Sequence, residues 1–246
     1  MRVGQEARIK VKIITAIGRL KGPLVGATIG FICVVLITAS TSDARDLQQR
    51  PAVTTDEMVA TVNGEMISYS DLVWQLTLQP GMSIDPVRTD DLKRALSLLI
   101  DQQLILQEAR KLPSLHAEDK EVDEALAELA RHFSGQAELS RRMIRVGLTS
   151  ERLREIMHER VDIEQYLDFR FRSFVVITEK EIETYYRLTY VRRFRERTPG
   201  TIVPRLQEAR AEIEKILTEE KIAISMQGFL EEARQRATIV ILREFK

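Results

Sequence analysis

Apolar positions in the stretch DDLKRALSLLIDQQLILQEARKL, residues 90–112, recur at helical spacing and then overfill it. Leu92, Leu96, Leu99 and Leu106 share one face, and Ala95, Leu98, Ile105, Ala109 and Leu112 widen that face until little of the cylinder stays polar. A helix so apolar needs neighbours on several sides, so the pattern predicts a central helix. Asp90 and Asp91 at its start and Arg110 and Lys111 at its end suit the helix dipole, and Pro113 stops it.

The other periodicities arrange themselves around this helix. MVATVNGEMIS, residues 58–68, alternates apolar and polar residues on either side of Asn63-Gly64. Both turn residues tolerate positive φ, so two short strands joined by a tight turn are predicted. Ser68 and Asp71 form a capping pattern for a helix over 69–79, ended by Pro80-Gly81. Amphipathic helices are predicted over 117–133 and 136–147, then from Thr149 or Ser150 to Phe171. Thr178 and Glu181 form a second capping pattern for a helix over 179–194, and a long last helix is predicted over 203–236. TIVIL, residues 238–242, is β-branched and short, and it reads as a strand. A lone strand leaves its backbone unpaired, so this one is expected to join the hairpin at 58–68. The predicted class is therefore mainly α: a multi-helix module with a small antiparallel sheet formed by an N-terminal hairpin and a C-terminal strand.

The amino terminus is different in kind. Residues 1–42 hold six basic residues and one acidic residue, and their apolar heart is LVGATIGFICVVLITA, residues 24–39. Such a segment is a secretory signal peptide or a membrane anchor, with the small residues around Ala39 to Ala44 favouring cleavage and the long basic leader favouring retention. Either reading exports the remainder. Residues 43–57 are polar and aperiodic and read as a linker, which leaves residues 58–246 as one helical domain. The single cysteine, Cys33, lies in the apolar segment, so the exported part has no disulfide or Cys-based metal site. Its net charge is about −5 by the count of charged residues, which disfavours a general nucleic-acid binder.

The order VATVNGEMISYSDL, LKRALSLLIDQQLILQEARKL, several amphipathic helices, EARAEIEKILTEEKI and FLEEARQRATIVIL resembles the SurA-type periplasmic chaperones over roughly residues 58–245. That resemblance implies a module that holds unfolded outer-membrane proteins. Related PpiD-type and PrsA-type foldases, like SurA-type proteins, commonly carry parvulin prolyl-isomerase domains before the final helix. Here about twenty residues, 187–206, occupy that place, so no isomerase activity is expected.

No catalytic pattern replaces it. His116, His132 and His158 lack metal-ligand spacing, and no nucleophile elbow, phosphate loop or dinucleotide fingerprint occurs. The expectation is a non-enzymatic protein with no cofactor and no metal. A holdase requires accessible apolar side chains rimmed by charge, and the candidates are Trp74, Leu78, Met143, Met157, Tyr185, Tyr186 and Tyr190. The expected partners are unfolded or extended polypeptides, in the periplasm or another extracytoplasmic space. The inner membrane is a further partner if residues 24–39 are uncleaved, and no nucleic acid is expected. A tethered scaffold for one folded partner and an isomerase-family foldase are the rival readings, and homodimerisation stays open. Arg187, Arg192, Arg193, Arg195 and Arg197 form a basic stretch offset in sequence by Glu179, Glu181, Glu183 and Glu196.

Overall fold

The computed structural model describes residues 56–82 and 85–245. Strands β1, Met58–Val62, and β2, Glu65–Ser68, form the expected hairpin. Asn63 at φ 52° and Gly64 at φ 88° make the turn, in a backbone region that asparagine tolerates and that glycine, lacking a Cβ, enters freely. Ser68 then caps helix α1, Tyr69–Thr77, in a reciprocal capping box: its hydroxyl accepts from the Asp71 amide at 3.2 Å, and the Asp71 carboxylate accepts from the Ser68 amide at 2.9 Å.

Helix α2, Thr89–Ala109, is the predicted central helix. Its first half packs beneath the sheet with Leu92, Ala95, Leu96, Ile100 and Leu104, and its second half packs against later helices through Ile105, Leu106 and Ala109. Helices α3, Asp119–Arg131, α4, Gln136–Arg145, and α5, Ser150–Leu167, follow. They enclose a second apolar region around Val122, Leu129, Leu139, Leu153 and Met157. Helix α5 serves two cores, because Ile163, Tyr166 and Leu167 also pack on α2. The chain is therefore organised by two helices, and α5 carries as much of the packing as α2.

A π turn, Asp168–Arg172, extends α5. Helix α6, Glu179–Tyr185, a second π turn, Tyr186–Tyr190, and α7, Val191–Arg197, form one arm of a hairpin. The other arm is the first part of α8, Leu206–Arg236. The hairpin has a small core of its own, Ile182, Tyr190, Ala209 and Ile213, while the later part of α8 returns to α2 and α5 through Ile222, Met226 and Leu230. Arg234 on α8 donates to the buried Asp101 of α2 at 2.7 Å and reaches Ser97, so a charge-assisted clamp fixes the end of the long helix.

Strand β3, Ile239–Ile241, pairs antiparallel with β1, with Thr61 opposite Val240, and the sheet order is β2-β1-β3. The protein is thus mainly helical with a small three-stranded antiparallel sheet, and the two ends of residues 58–241 meet in it.

The expectation of a transmembrane helix is corrected: no helix among the described residues is long and apolar enough to cross a membrane. Residues 24–39, which prompted that expectation, lie with all of residues 1–55 outside the described residues.

Candidate functional site

Because β1 occupies the middle of the sheet, β2 has one side without a strand partner among the described residues. Along β2 the pleat turns Ile67 into the core at 4% exposure and leaves Met66 outward at 67%. Residues 64–67 line a cavity of about 360 Å³ together with one face of α2 and one face of α5. From α2 come Leu99, Gln102, Gln103 and Leu106, and from α5 come Arg152, Ile156, Glu159, Arg160 and Ile163. Both sets follow helical spacing, so each is a single face presented side-on to the strand. Leu99, Leu106, Ile156 and Ile163 make the apolar part, and amides and charges make the remainder.

The charges and amides around the cavity form three local groups of ion pairs and hydrogen bonds. Arg110 donates to Glu65 at 2.9 Å and lies 3.6 Å from Glu159. Arg152 donates to Asp71 at 3.2 Å and to Glu155 at 3.0 Å. Gln103 donates to Glu65. Arg160 donates to the amide oxygen of Gln75 at 2.8 Å, but its Nε is sealed from solvent without a hydrogen-bond partner. Burial pulls the Arg160 guanidinium down to about 10, with the Glu159 charge opposing that shift. Burial also pushes the Glu159 carboxyl above its usual range, against the pull of Arg152 and Arg110. Burial works against the charge of Arg152 too, but Glu155 and Asp71 hold its pKa above the ordinary arginine value. The arrangement provides an open backbone edge, a shallow apolar trough and a rim of fixed dipoles and charges. It suits an extended peptide whose main chain pairs with β2 while alternate side chains enter the trough.

The seven candidate residues fall in two separate places. Leu78, Met143 and Met157 are 2%, 6% and 0% exposed inside one core, because α3 and α4 fold onto the end of α1 and the start of α5. Trp74 lies half-buried at the edge of that core, donating from Nε1 to the Val146 carbonyl at 3.2 Å with Arg152 over its ring. Tyr185, Tyr186 and Tyr190 belong to the α6–α8 hairpin. Tyr190 is buried there, stacked between Tyr186 and Phe194 at 5.8 and 6.0 Å, and its hydroxyl donates to Glu212 at 2.9 Å. The expectation that these side chains offer open apolar surface is therefore revised for Leu78, Met143, Met157 and Tyr190: their methyl, thioether and ring surfaces are spent on packing.

Met66 and the cavity faces of α2 and α5 are not among the candidate residues the sequence pattern marks. Their signal in the sequence was Gln102 and Gln103 interrupting an otherwise apolar helix, side by side with Leu99 and Leu106. Two of the histidines share a buried carboxylate. His116 and His158 bring Nδ1 to within 3.6 and 3.3 Å of the same Asp162 oxygen, and the other Asp162 oxygen accepts the Ala117 amide at 2.7 Å. The spacing of His158 and Asp162, one helical turn apart, was the available clue. Among the described residues, no group of three or more His, Cys, Asp or Glu side chains is placed to hold a metal ion.

Comparison with known proteins agrees with this architecture. The family model for the SurA-like N-terminal domain matches residues 18–167, and the chain belongs to that family. The match closes at the last residue of α5, so the hairpin arm, α8 and β3 lie beyond it. No curated protein matches the chain.

Proposed function

We propose that this chain is an extracytoplasmic holdase that captures extended segments of unfolded envelope and outer-membrane proteins by adding them as a further strand to β2. The observation that carries the reading is the open side of β2 running along the trough between α2 and α5. Main-chain pairing is independent of side-chain identity, so it supports broad client choice, and Met66 at the lip is a flexible, polarizable contact. Residues 43–57 then act as a linker and residues 58–246 as the working domain. No nucleotide, metal or covalent step is required.

The test is aggregation suppression by residues 43–246, with an unfolded outer-membrane barrel protein and an unfolded soluble enzyme as parallel clients. Protection of the barrel protein at near-stoichiometric ratios is the expected result. Protection of neither client would reject holdase activity and favour a scaffold that holds one folded partner.

A further inference from the structure

The arginine-rich stretch gains a different meaning once the hairpin is folded. In sequence, four glutamates offset it. In the structure Glu179 is held by Arg210 and Glu181 by Lys221, both from α8, so neither is spent on the stretch. Glu212 takes Arg197 at 3.8 Å, and Glu196 takes Arg192 at the limit of ion-pair distance, 4.0 Å. Arg187, Arg193 and Arg195 have no carboxylate partner among the described residues, and Arg193 donates only to the Tyr185 hydroxyl at 3.2 Å.

Residues 187–205 contain six arginines, one glutamate and no lysine, a local charge of +5 on a described chain that is net acidic. All six arginines are exposed. The inward face of the arm, Ile182, Tyr186, Tyr190 and Phe194, packs on α8, which forces Arg187, Leu188, Arg192 and Arg195 outward. Leu188 is 69% exposed, and Ile202, in the connection to α8, is 90% exposed.

We propose that this arm and its connection dock on an anionic phospholipid bilayer, with the arginines on lipid phosphates and Leu188 and Ile202 in the interfacial layer. Two observations choose this occupant. Arginine without lysine presents planar donor forks suited to phosphate oxygens. The two large aliphatic side chains gain only where the partner offers a non-aqueous phase, and an acidic peptide or a nucleic acid would satisfy the arginines while leaving Leu188 and Ile202 in water. The surface lies on the hairpin, apart from the β2 trough, so a client and a bilayer can be held together.

The test uses residues 43–246, which omit the apolar segment 24–39 and contain no cysteine, carrying Thr201→Cys with an environment-sensitive fluorophore on the introduced thiol, mixed with vesicles of phosphatidylcholine alone or with one third phosphatidylglycerol. A blue shift is expected with the anionic vesicles only, lost in high salt. In the Arg187→Gln, Arg192→Gln, Arg195→Gln variant the vesicle concentration for half-maximal shift rises by roughly a hundredfold, about fivefold per arginine. No shift with anionic vesicles would overturn the proposal. So would an equal shift on neutral vesicles, a half-maximal vesicle concentration that the triple variant leaves unchanged, or an equal shift on polyglutamate without vesicles, the last assigning the patch to an acidic polypeptide.

Discussion

Met66→Ala separates the trough from the core more cleanly than any other single change. Met66 is 67% exposed, so its present burial contributes little to the fold. Fully burying a methionine side chain is worth about 1.5–3 kcal/mol, so the two-thirds still exposed leaves about 1–2 kcal/mol for a client to collect. Removing it should weaken client binding by roughly five- to thirtyfold, since each 1.4 kcal/mol is about tenfold. The urea midpoint should stay where it is. Met157→Ala is the opposite case: at 0% exposure it opens a cavity in the core between α3, α4 and α5 and should cost the fold about 2–5 kcal/mol. Its effect on client affinity, measured where the variant is still fully folded, should be small. Fluorescence anisotropy of a labelled unfolded polypeptide and urea denaturation followed at the single Trp74 give both readouts. If Met66→Ala leaves affinity within twofold of the parent while folded Met157→Ala weakens it tenfold, the trough is not the client site and the α3–α5 core must open to bind.

Three further outcomes follow from the ion pairs. Arg234→Met removes the arginine partner of Asp101, whose side chain is 3% exposed, and should cost about 2 kcal/mol in urea unfolding, below the usual loss for a broken buried pair because Arg234 is 37% exposed; the double variant with Asp101→Leu should recover most of it, and a single-variant loss under 0.5 kcal/mol would reject the clamp. Burial raises the Glu159 pKa, so its ionisation opposes folding: stability from this group is full below pH 4.5 and falls as pH rises through the folded value. Glu159→Gln should therefore raise Tm at pH 7 and lose that advantage below pH 4.5, and an unchanged Tm difference across that range would contradict the assignment. Glu181 runs the other way, held down to about 2 by Lys221 and by the Thr178 backbone and hydroxyl, so its contribution is present above pH 4.5 and lost as pH falls toward 2. Glu181→Gln should remove that acid dependence from hydrogen exchange in α6, and identical profiles for parent and variant would refute it.

Most of the architecture was determined by the sequence alone, because local chemistry and periodicity act over a few residues. Asn63-Gly64 accepts the turn's positive φ, the Ser68–Asp71 and Thr178–Glu181 pairs satisfy backbone donors within their own helices, and the overfilled face of residues 90–112 leaves few places except the centre. The closing strand was legible too, since TIVIL has unpaired backbone and the hairpin has an edge to offer. What tertiary structure decided is which apolar faces were used up. Leu78, Met143 and Met157 satisfy the same hydrophobic periodicity as any exposed docking residue, and only the folding of α3 and α4 onto α1 and α5 assigns them to the interior. The trough likewise needs a strand and two helices separated by up to about a hundred residues. The arginine stretch shows the same limit for charge. Glutamates adjacent in sequence neutralise it on paper, but α8 reaches Glu179 and Glu181 first, because an ion pair depends on distance in space.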